Sequence, residues 1–313
     1  MNPTGPIGPR SIGAFAFAVG FVVKDDLHGP ARRVMHSVRP ARRELATKKE
    51  WPMIQIVEYR NKNLLSYSEY GDKNGYPILV QHGLIASISD YHLFDRLIES
   101  GTHLICIARP GYGESSPYSM SNLAEWGELV SVLVNELKLP QFDILGMSSG
   151  APYSYAIGYT LPEQVRNIFI FSGTPALYDE RVLALWPYPV NKQASLIELE
   201  RVAKELFFSD VSQEDSLRND IRDSMRNDCF GIAQDLKLRC MDWGFDLSEV
   251  KARVYMQHSK ADNQVPFSTA EITAHLLPNC RLDIRESGGH FSDELLDAFI
   301  ETTMVEHYES RHA

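Results

Sequence analysis

The chain has 313 residues, of which 44% are hydrophobic and 23% charged, so it can bury a sizeable core. Its formal net charge of −10 argues against binding to nucleic acid or an anionic membrane surface, because like charges would repel. The four cysteines (Cys106, Cys229, Cys240 and Cys280) show no paired short spacing. They indicate scattered thiols in a reducing compartment rather than a zinc site or a disulfide framework.

The N-terminal segment differs in charge from the remainder. Residues 1–50 carry nine Lys and Arg against four Asp and Glu, whereas the rest of the chain carries 22 against 37. The apolar run from Ser11 to Val23 would span only about 20 Å as a helix, which is too short for stable insertion in a bilayer core of about 30 Å. We expect residues 1–52 to be a disordered extension of a cytoplasmic protein, with a targeting segment as the alternative. Met53 is then a candidate natural start.

From Met53 onward the chain alternates predicted strands and helices. Residues 54–57 and 64–67 predict an antiparallel hairpin. Further strands are predicted at 77–81, 104–108, 142–145, 167–171, 253–257 and 281–285. Helices are predicted at 123–137, 267–277 and 293–307, and another follows Gly150 and ends at 159. Apolar strands separated by helices indicate a mostly parallel central sheet with helices on both faces. Residues 176–245 show helical periodicity without a strong strand, which predicts a helical cap inserted into a core of residues 53–175 and 246–313.

The strand at 142–145 leads into Gly146-Met147-Ser148-Ser149-Gly150, and a helix follows. Glycines on both sides suit a serine on a very tight turn, where larger residues would collide with neighbouring chain. The N-terminus of the helix presents free N–H groups that stabilise negative charge. A nucleotide-binding turn would need G-x-G-x-x-G, and Ser148 stands in the place of its middle glycine. The pattern therefore favours a nucleophilic serine.

Other segments at predicted strand ends belong to the same pattern. They are His82-Gly83-Leu84, Arg109-Pro110-Gly111-Tyr112-Gly113-Glu114-Ser115, the segment from Met256 through Asp262 to Val265-Pro266, and Ser287-Gly288-Gly289-His290-Phe291. With them the chain resembles the α/β-hydrolase superfamily over about residues 53–175 and 245–305. Ser148, Asp262 and His290 also follow the chain order Ser, Asp, His that this fold uses.

The resemblance implies an α/β-hydrolase fold with a Ser-His-Asp triad. Ser148 would be the nucleophile, His290 the general base and Asp262 the acid that orients the histidine. The resemblance also implies an oxyanion hole formed by the backbone N–H groups of Leu84 and Ser149. It implies neither a cofactor nor a metal.

Three other polar residues of these motifs are expected to have structural rather than catalytic roles. His82 is expected to be a buried turn histidine that bonds nearby backbone. Arg109 and Glu114 are expected to hold the loop that follows the second parallel strand.

The expected activity is hydrolysis of an ester, thioester or related acyl bond of a small molecule through an acyl-enzyme. Ser148 argues against dehalogenases and epoxide hydrolases, whose nucleophile in this family is aspartate. Cofactor-free haloperoxidase-like and C–C hydrolase activities stay open, and so does a non-catalytic receptor that binds a small ligand on the same fold. The many carboxylates of the cap disfavour anionic substrates, and no motif indicates an oligomeric state.

Overall fold

The computed structural model describes residues 53–305 and residue 308. Their central feature is one eight-stranded sheet, in the order β1-β2-β4-β3-β5-β6-β7-β8. β2 runs antiparallel to its neighbours β1 and β4, and every other neighbouring pair is parallel. The strands are β1 Gln55–Tyr59, β2 Asn63–Gly71, β3 Pro77–Gln81, β4 His103–Ile107, β5 Phe142–Met147, β6 Val165–Phe171, β7 Arg253–Ser259 and β8 Cys280–Arg285.

The described helices separate the parallel strands. They are α1 Asp95–Glu99, α2 Ala124–Glu136, α3 Gly150–Thr160, α4 Glu180–Leu185, α5 Leu196–Phe207, α6 Asn219–Leu238, α7 Phe267–Leu276 and α8 Asp293–Phe299. A π-helical turn, Ile300–Val305, continues α8. Short 3-10 turns lie at Tyr91–Phe94, Asp215–Leu217 and Leu247–Glu249. The expectations for residues 1–52, and the end of the last predicted helix at 306–307, fall outside the described residues.

Two hydrophobic layers cover the sheet because successive side chains of a strand point to opposite faces. In β6, Ile168 and Ile170 join the layer that includes buried residues of α2, α3 and α7. Phe169 and Phe171 join the other layer, with buried residues of α1 and α8. The interior strands are therefore mostly apolar, as the sequence predicts, with buried polar exceptions such as Asp143 in β5 and His258 in β7. The edge strand β8 is only partly buried and mixes polar with apolar residues, since it pairs with β7 alone.

The segment predicted to be a helical cap, here called the cap segment (residues 176–245), lies between β6 and β7 and holds α4, α5 and α6. The structure describes every residue of this segment, and none of them is in a strand. Its longest helix is interrupted at Arg226–Cys229, where the backbone leaves helical geometry. Asn227 there donates from its side chain to the carbonyl of Gly111, 3.2 Å away, so the interruption lies against the loop that follows β4.

All four cysteines lie within the described residues and are free thiols. Cys106, Cys229 and Cys240 are buried, and Cys280 is half-buried. Burial raises the pKa of the Cys106 thiol to about 12, so this side chain is an inert core residue at neutral pH.

Candidate active site

Ser148 stands on a strained turn at the carboxyl end of β5. Its φ of +48° lies in the left-handed region, which a non-glycine residue adopts only at a cost in free energy. A Cβ at Gly146 would lie 2.2 Å from the hydroxyl of Ser154, and one at Gly150 would lie 2.1 Å from the carbonyl oxygen of Gln81. Glycine is therefore required on both sides for steric reasons, as the sequence pattern predicts. The turn is fixed further by the N–H of Ser148, which donates to the carbonyl of Phe171 over 3.1 Å.

The structure brings Ser148, His290 and Asp262 together, although 142 residues of sequence separate the serine from the histidine. Nε2 of His290 lies 2.8 Å from Oγ of Ser148, and Nδ1 of His290 lies 2.7 Å from Oδ2 of Asp262. Each of the three side chains is buried, with at most 7% of its residue surface exposed. The serine hydroxyl thus lies beside a nitrogen of an imidazole whose other nitrogen contacts a carboxylate.

Asp262 lies in the loop after β7, and its two oxygens have separate partners. Oδ1 accepts the backbone N–H groups of Gln264 and Val265, both at 2.9 Å. Oδ2 lies 2.7 Å from Nδ1 of His290 and 3.2 Å from Nε2 of His258. Burial alone would raise the pKa of Asp262, but the hydrogen bonds from the two histidines and the backbone, with the charge on His290, hold it below its usual range. The carboxylate is therefore ionised at neutral pH.

Sequence reasoning missed His258 as a partner of Asp262. This histidine is 1% exposed, and its Nε2 also lies 2.9 Å from the carbonyl oxygen of Val265. The sequence feature that could have indicated this contact is a histidine at the end of a buried strand, four residues before Asp262. His258 helps to hold the loop that carries Asp262.

The two residues expected to supply the oxyanion hole lie at the cavity beside the serine. Leu84 and Ser149 both line that cavity, and among the described residues neither N–H donates to another protein atom. The carbonyl of Gly83, in the same peptide unit as the N–H of Leu84, lies 2.7 Å from Nδ1 of His82 and accepts from Nη2 of Arg109 at 2.9 Å. These contacts fix the plane of the peptide. His82 therefore holds this loop, as expected, and Arg109 ties the loop after β4 to it through the carbonyls of His82 and Gly83.

Arg109 also joins this loop to the cap segment. Its guanidinium, 1% exposed, forms an ion pair with Asp235 of α6 at 2.6 Å. The hydroxyl groups of Tyr112 and Tyr153 donate to the same carboxylate over 3.0 and 2.6 Å. Burial, followed by the nearby Asp235 charge, raises the pKa of both tyrosines well above the usual value, so they remain neutral donors. The network makes the position of the Gly83 carbonyl depend on a cap helix.

Replacing Asp235 by alanine is expected to lower the free energy of unfolding by about 3–5 kcal/mol, because the guanidinium of Arg109 would stay buried without its carboxylate. Chemical denaturation followed by circular dichroism measures this loss. The control is Glu114→Ala, which removes an exposed ion pair between the loop after β4 and Arg226 of α6. Its expected cost is about 0–1 kcal/mol. Equal small losses in both variants would contradict a structural role for the buried pair.

A cavity of about 540 Å³ opens above Ser148, between the sheet and the cap segment. Most of its wall is apolar, and the cap contributes Trp186, Tyr188, Leu206 and Phe207 to it. Within the described part of the chain, no three His, Cys, Asp or Glu side chains are arranged to hold a metal ion. No described helix is both long and apolar enough to cross a membrane. The cavity is large enough for a small organic molecule.

The chain belongs to the α/β hydrolase family, whose family model matches residues 78–301. It is 31% identical over 108 residues to the uncharacterized hydrolase YcgS of Bacillus subtilis, a match that spans 34% of this chain and 37% of that protein. It is 24% identical over 242 residues to a 2-hydroxy-6-oxononadienedioate/2-hydroxy-6-oxononatrienedioate hydrolase of Cupriavidus pinatubonensis, over 69% of this chain and 80% of that protein.

Solved structures share the fold. The esterase EaEST from Exiguobacterium antarcticum superposes with a TM-score of 0.64 and 21% sequence identity, over 82% of this chain and 100% of that one. The family membership and the α/β-hydrolase fold expected from the sequence are thereby confirmed.

Proposed function

We propose that this protein is a serine hydrolase that cleaves an ester, thioester or related acyl bond of a small molecule through an acyl-enzyme. The observation that carries the proposal is the continuous hydrogen-bonded series from Asp262 through His290 to Ser148, with contacts of 2.7 and 2.8 Å, at the wall of the cavity. A serine hydroxyl is a poor nucleophile at neutral pH unless a base lies within hydrogen-bond reach. The free cysteines fit a reducing compartment such as the cytoplasm, where we place this activity.

The proposed reaction begins when Oγ of Ser148 attacks the acyl carbon and Nε2 of His290 takes the hydroxyl proton. Asp262 keeps the proton on Nδ1 and stabilises the imidazolium. The oxyanion accepts hydrogen bonds from the N–H groups of Leu84 and Ser149, each worth about 3–4 kcal/mol of the barrier. His290 then protonates the leaving alcohol or thiol. Water, deprotonated by the same imidazole, cleaves the acyl-enzyme to the free acid and restores Ser148.

Labelling by a fluorophosphonate tests the nucleophile without knowledge of the substrate. The phosphorus is expected to become bonded to Oγ of Ser148 with loss of fluoride, because only an activated serine reacts at a useful rate. Intact-protein and peptide mass spectrometry measure the adduct and its position. Ser148→Ala is expected to abolish the label, and Ser209→Ala, which removes an exposed serine of the cap segment, should retain it. A label on another residue, or none, would refute the proposal.

Hydrolysis of a C–C bond is the second candidate. It is favoured by the similarity to the 2-hydroxy-6-oxononadienedioate/2-hydroxy-6-oxononatrienedioate hydrolase, which spans 80% of that relative. Parallel assays with aryl esters and with a 2-hydroxy-6-oxodienoate decide between the two by comparing kcat/KM. A protein that binds either compound tightly, takes no fluorophosphonate label and turns over neither would instead be a receptor.

A further inference from the structure

The cap side of the cavity carries two buried N–H donors that have no acceptor. Nε of Arg239 and Nε1 of Trp186 are both buried and have no hydrogen-bond partner among the described residues. Both side chains line the cavity above Ser148. They also contact each other, since the guanidinium carbon of Arg239 lies 5.6 Å from the centre of the Trp186 ring. Two neighbouring donors without an acceptor therefore belong to side chains in the wall of a space that a ligand can enter.

Arg239 also lacks a carboxylate partner in the described part of the chain. The other arginine of the cavity wall, Arg218, forms an ion pair with Asp220 at 2.6 Å. The guanidinium of Arg239 lies beside the buried thiol of Cys240. Burial raises the pKa of this thiol, with the charge of Arg239 acting in the opposite direction. A neutral thiol cannot neutralise a guanidinium, so the positive charge of Arg239 is uncompensated at the cavity wall.

An arrangement of this kind is unfavourable unless a ligand completes it. A buried donor without a partner loses its hydration without replacement, and the loss is greater for a charged group. Arginine presents a planar set of donors that fits the two oxygens of a carboxylate. The ring of Trp186 fixes the guanidinium on one side and adds a donor of its own. The missing partner is therefore an anionic group with at least two acceptor oxygens.

We propose that Arg239 and Trp186 form a carboxylate-binding subsite, so that the substrate is an ester or thioester whose acyl part carries a second, free carboxylate. This inference rests on the proposed hydrolase function and names its substrate class. It replaces the expectation that the carboxylates of the cap disfavour anionic substrates. Most of those carboxylates are exposed, and the two buried ones, Asp223 and Asp235, are already paired with Arg222 and Arg109.

The first test compares two esters that differ in one charge, mono(4-nitrophenyl) adipate and its methyl-capped form. The wild-type protein is expected to prefer the free carboxylate by about 10- to 100-fold in kcat/KM, the range of a charge-assisted hydrogen bond. Arg239→Met should lose this preference. The matched control Arg201→Met, which removes an exposed arginine of α5, should keep it. Hydrolysis without a preference for the anionic ester would overturn the subsite and leave the hydrolase proposal standing.

The second test measures binding apart from catalysis. Calorimetric titration of the Ser148→Ala protein with dicarboxylates from succinate to suberate is expected to detect binding of at least one of them. The double variant Ser148→Ala/Arg239→Met should lose that binding by about tenfold or more. Absence of binding across the series, or binding that is independent of Arg239, would overturn the subsite even if neither ester were hydrolysed. Failure of fluorophosphonate labelling, in contrast, would count against the hydrolase function alone.

Discussion

Replacing Ser148 by alanine is expected to lower kcat for an aryl ester by about 10⁶-fold, the effect of removing the nucleophile from a comparable triad. The reason is that no other hydroxyl is hydrogen-bonded to Nε2 of His290 in the described residues. The hydrolysis that persists would come from the oxyanion donors and from substrate binding. Steady-state kinetics on the wild-type and variant proteins measure the change.

The same substitution is expected to leave the fold intact. Alanine and serine pay a similar cost for the positive φ of this position, and the N–H that donates to Phe171 is retained. Thermal unfolding followed by circular dichroism should therefore give a midpoint equal to or slightly above that of the wild type, since active-site groups are often held at a cost in stability. A folded variant that keeps more than about 1% of the wild-type kcat would show that Ser148 is not the nucleophile.

Much of the architecture could be predicted from periodicity and turn chemistry. The strand predicted at 77–81 is β3, Pro77–Gln81, because a strand covered on both faces is a nearly continuous apolar run. The triad of Ser148, Asp262 and His290 was implied by the resemblance to the α/β-hydrolase superfamily, and its residues follow strands of a sheet that gathers side chains at one edge. At these positions the residue type that the local sequence pattern favours is also the residue type that the folded sheet requires.

The contacts that could not be predicted join segments far apart in the chain. Arg109 and Asp235 are 126 residues apart, and Asp235 lies in a helix whose sequence contains several other charged residues. Its burial depends on how α6 meets the loop after β4, which periodicity does not determine. Arg239 likewise lies in a stretch that mixes apolar and basic residues, and only the three-dimensional arrangement shows that its Nε is buried and that its side chain lines the cavity. Such contacts depend on tertiary packing rather than on local pattern.

Replacing Asp262 by asparagine is expected to lower kcat by about 10⁴-fold at neutral pH while the fold is retained. The direction in which the new amide points follows from its surroundings. The N–H groups of Gln264 and Val265 both donate to the position of Oδ1, so the amide oxygen will occupy that position. The NH₂ group must then take the position of Oδ2, 2.7 Å from Nδ1 of His290.

An amide donor at that position reverses the role of the imidazole. Nδ1 of His290 becomes the acceptor, which leaves the proton on Nε2, where it faces Ser148 and cannot accept the hydroxyl proton. Nε2 of His258 loses an acceptor at the same time but keeps the carbonyl of Val265, so the loop stays anchored. The expected result is a folded protein in which kcat falls far more than the affinity for a non-hydrolysed substrate analogue. Steady-state kinetics and calorimetric titration of the analogue measure the two quantities. An Asp262→Asn variant within about tenfold of the wild-type kcat would show that the carboxylate does not orient the base.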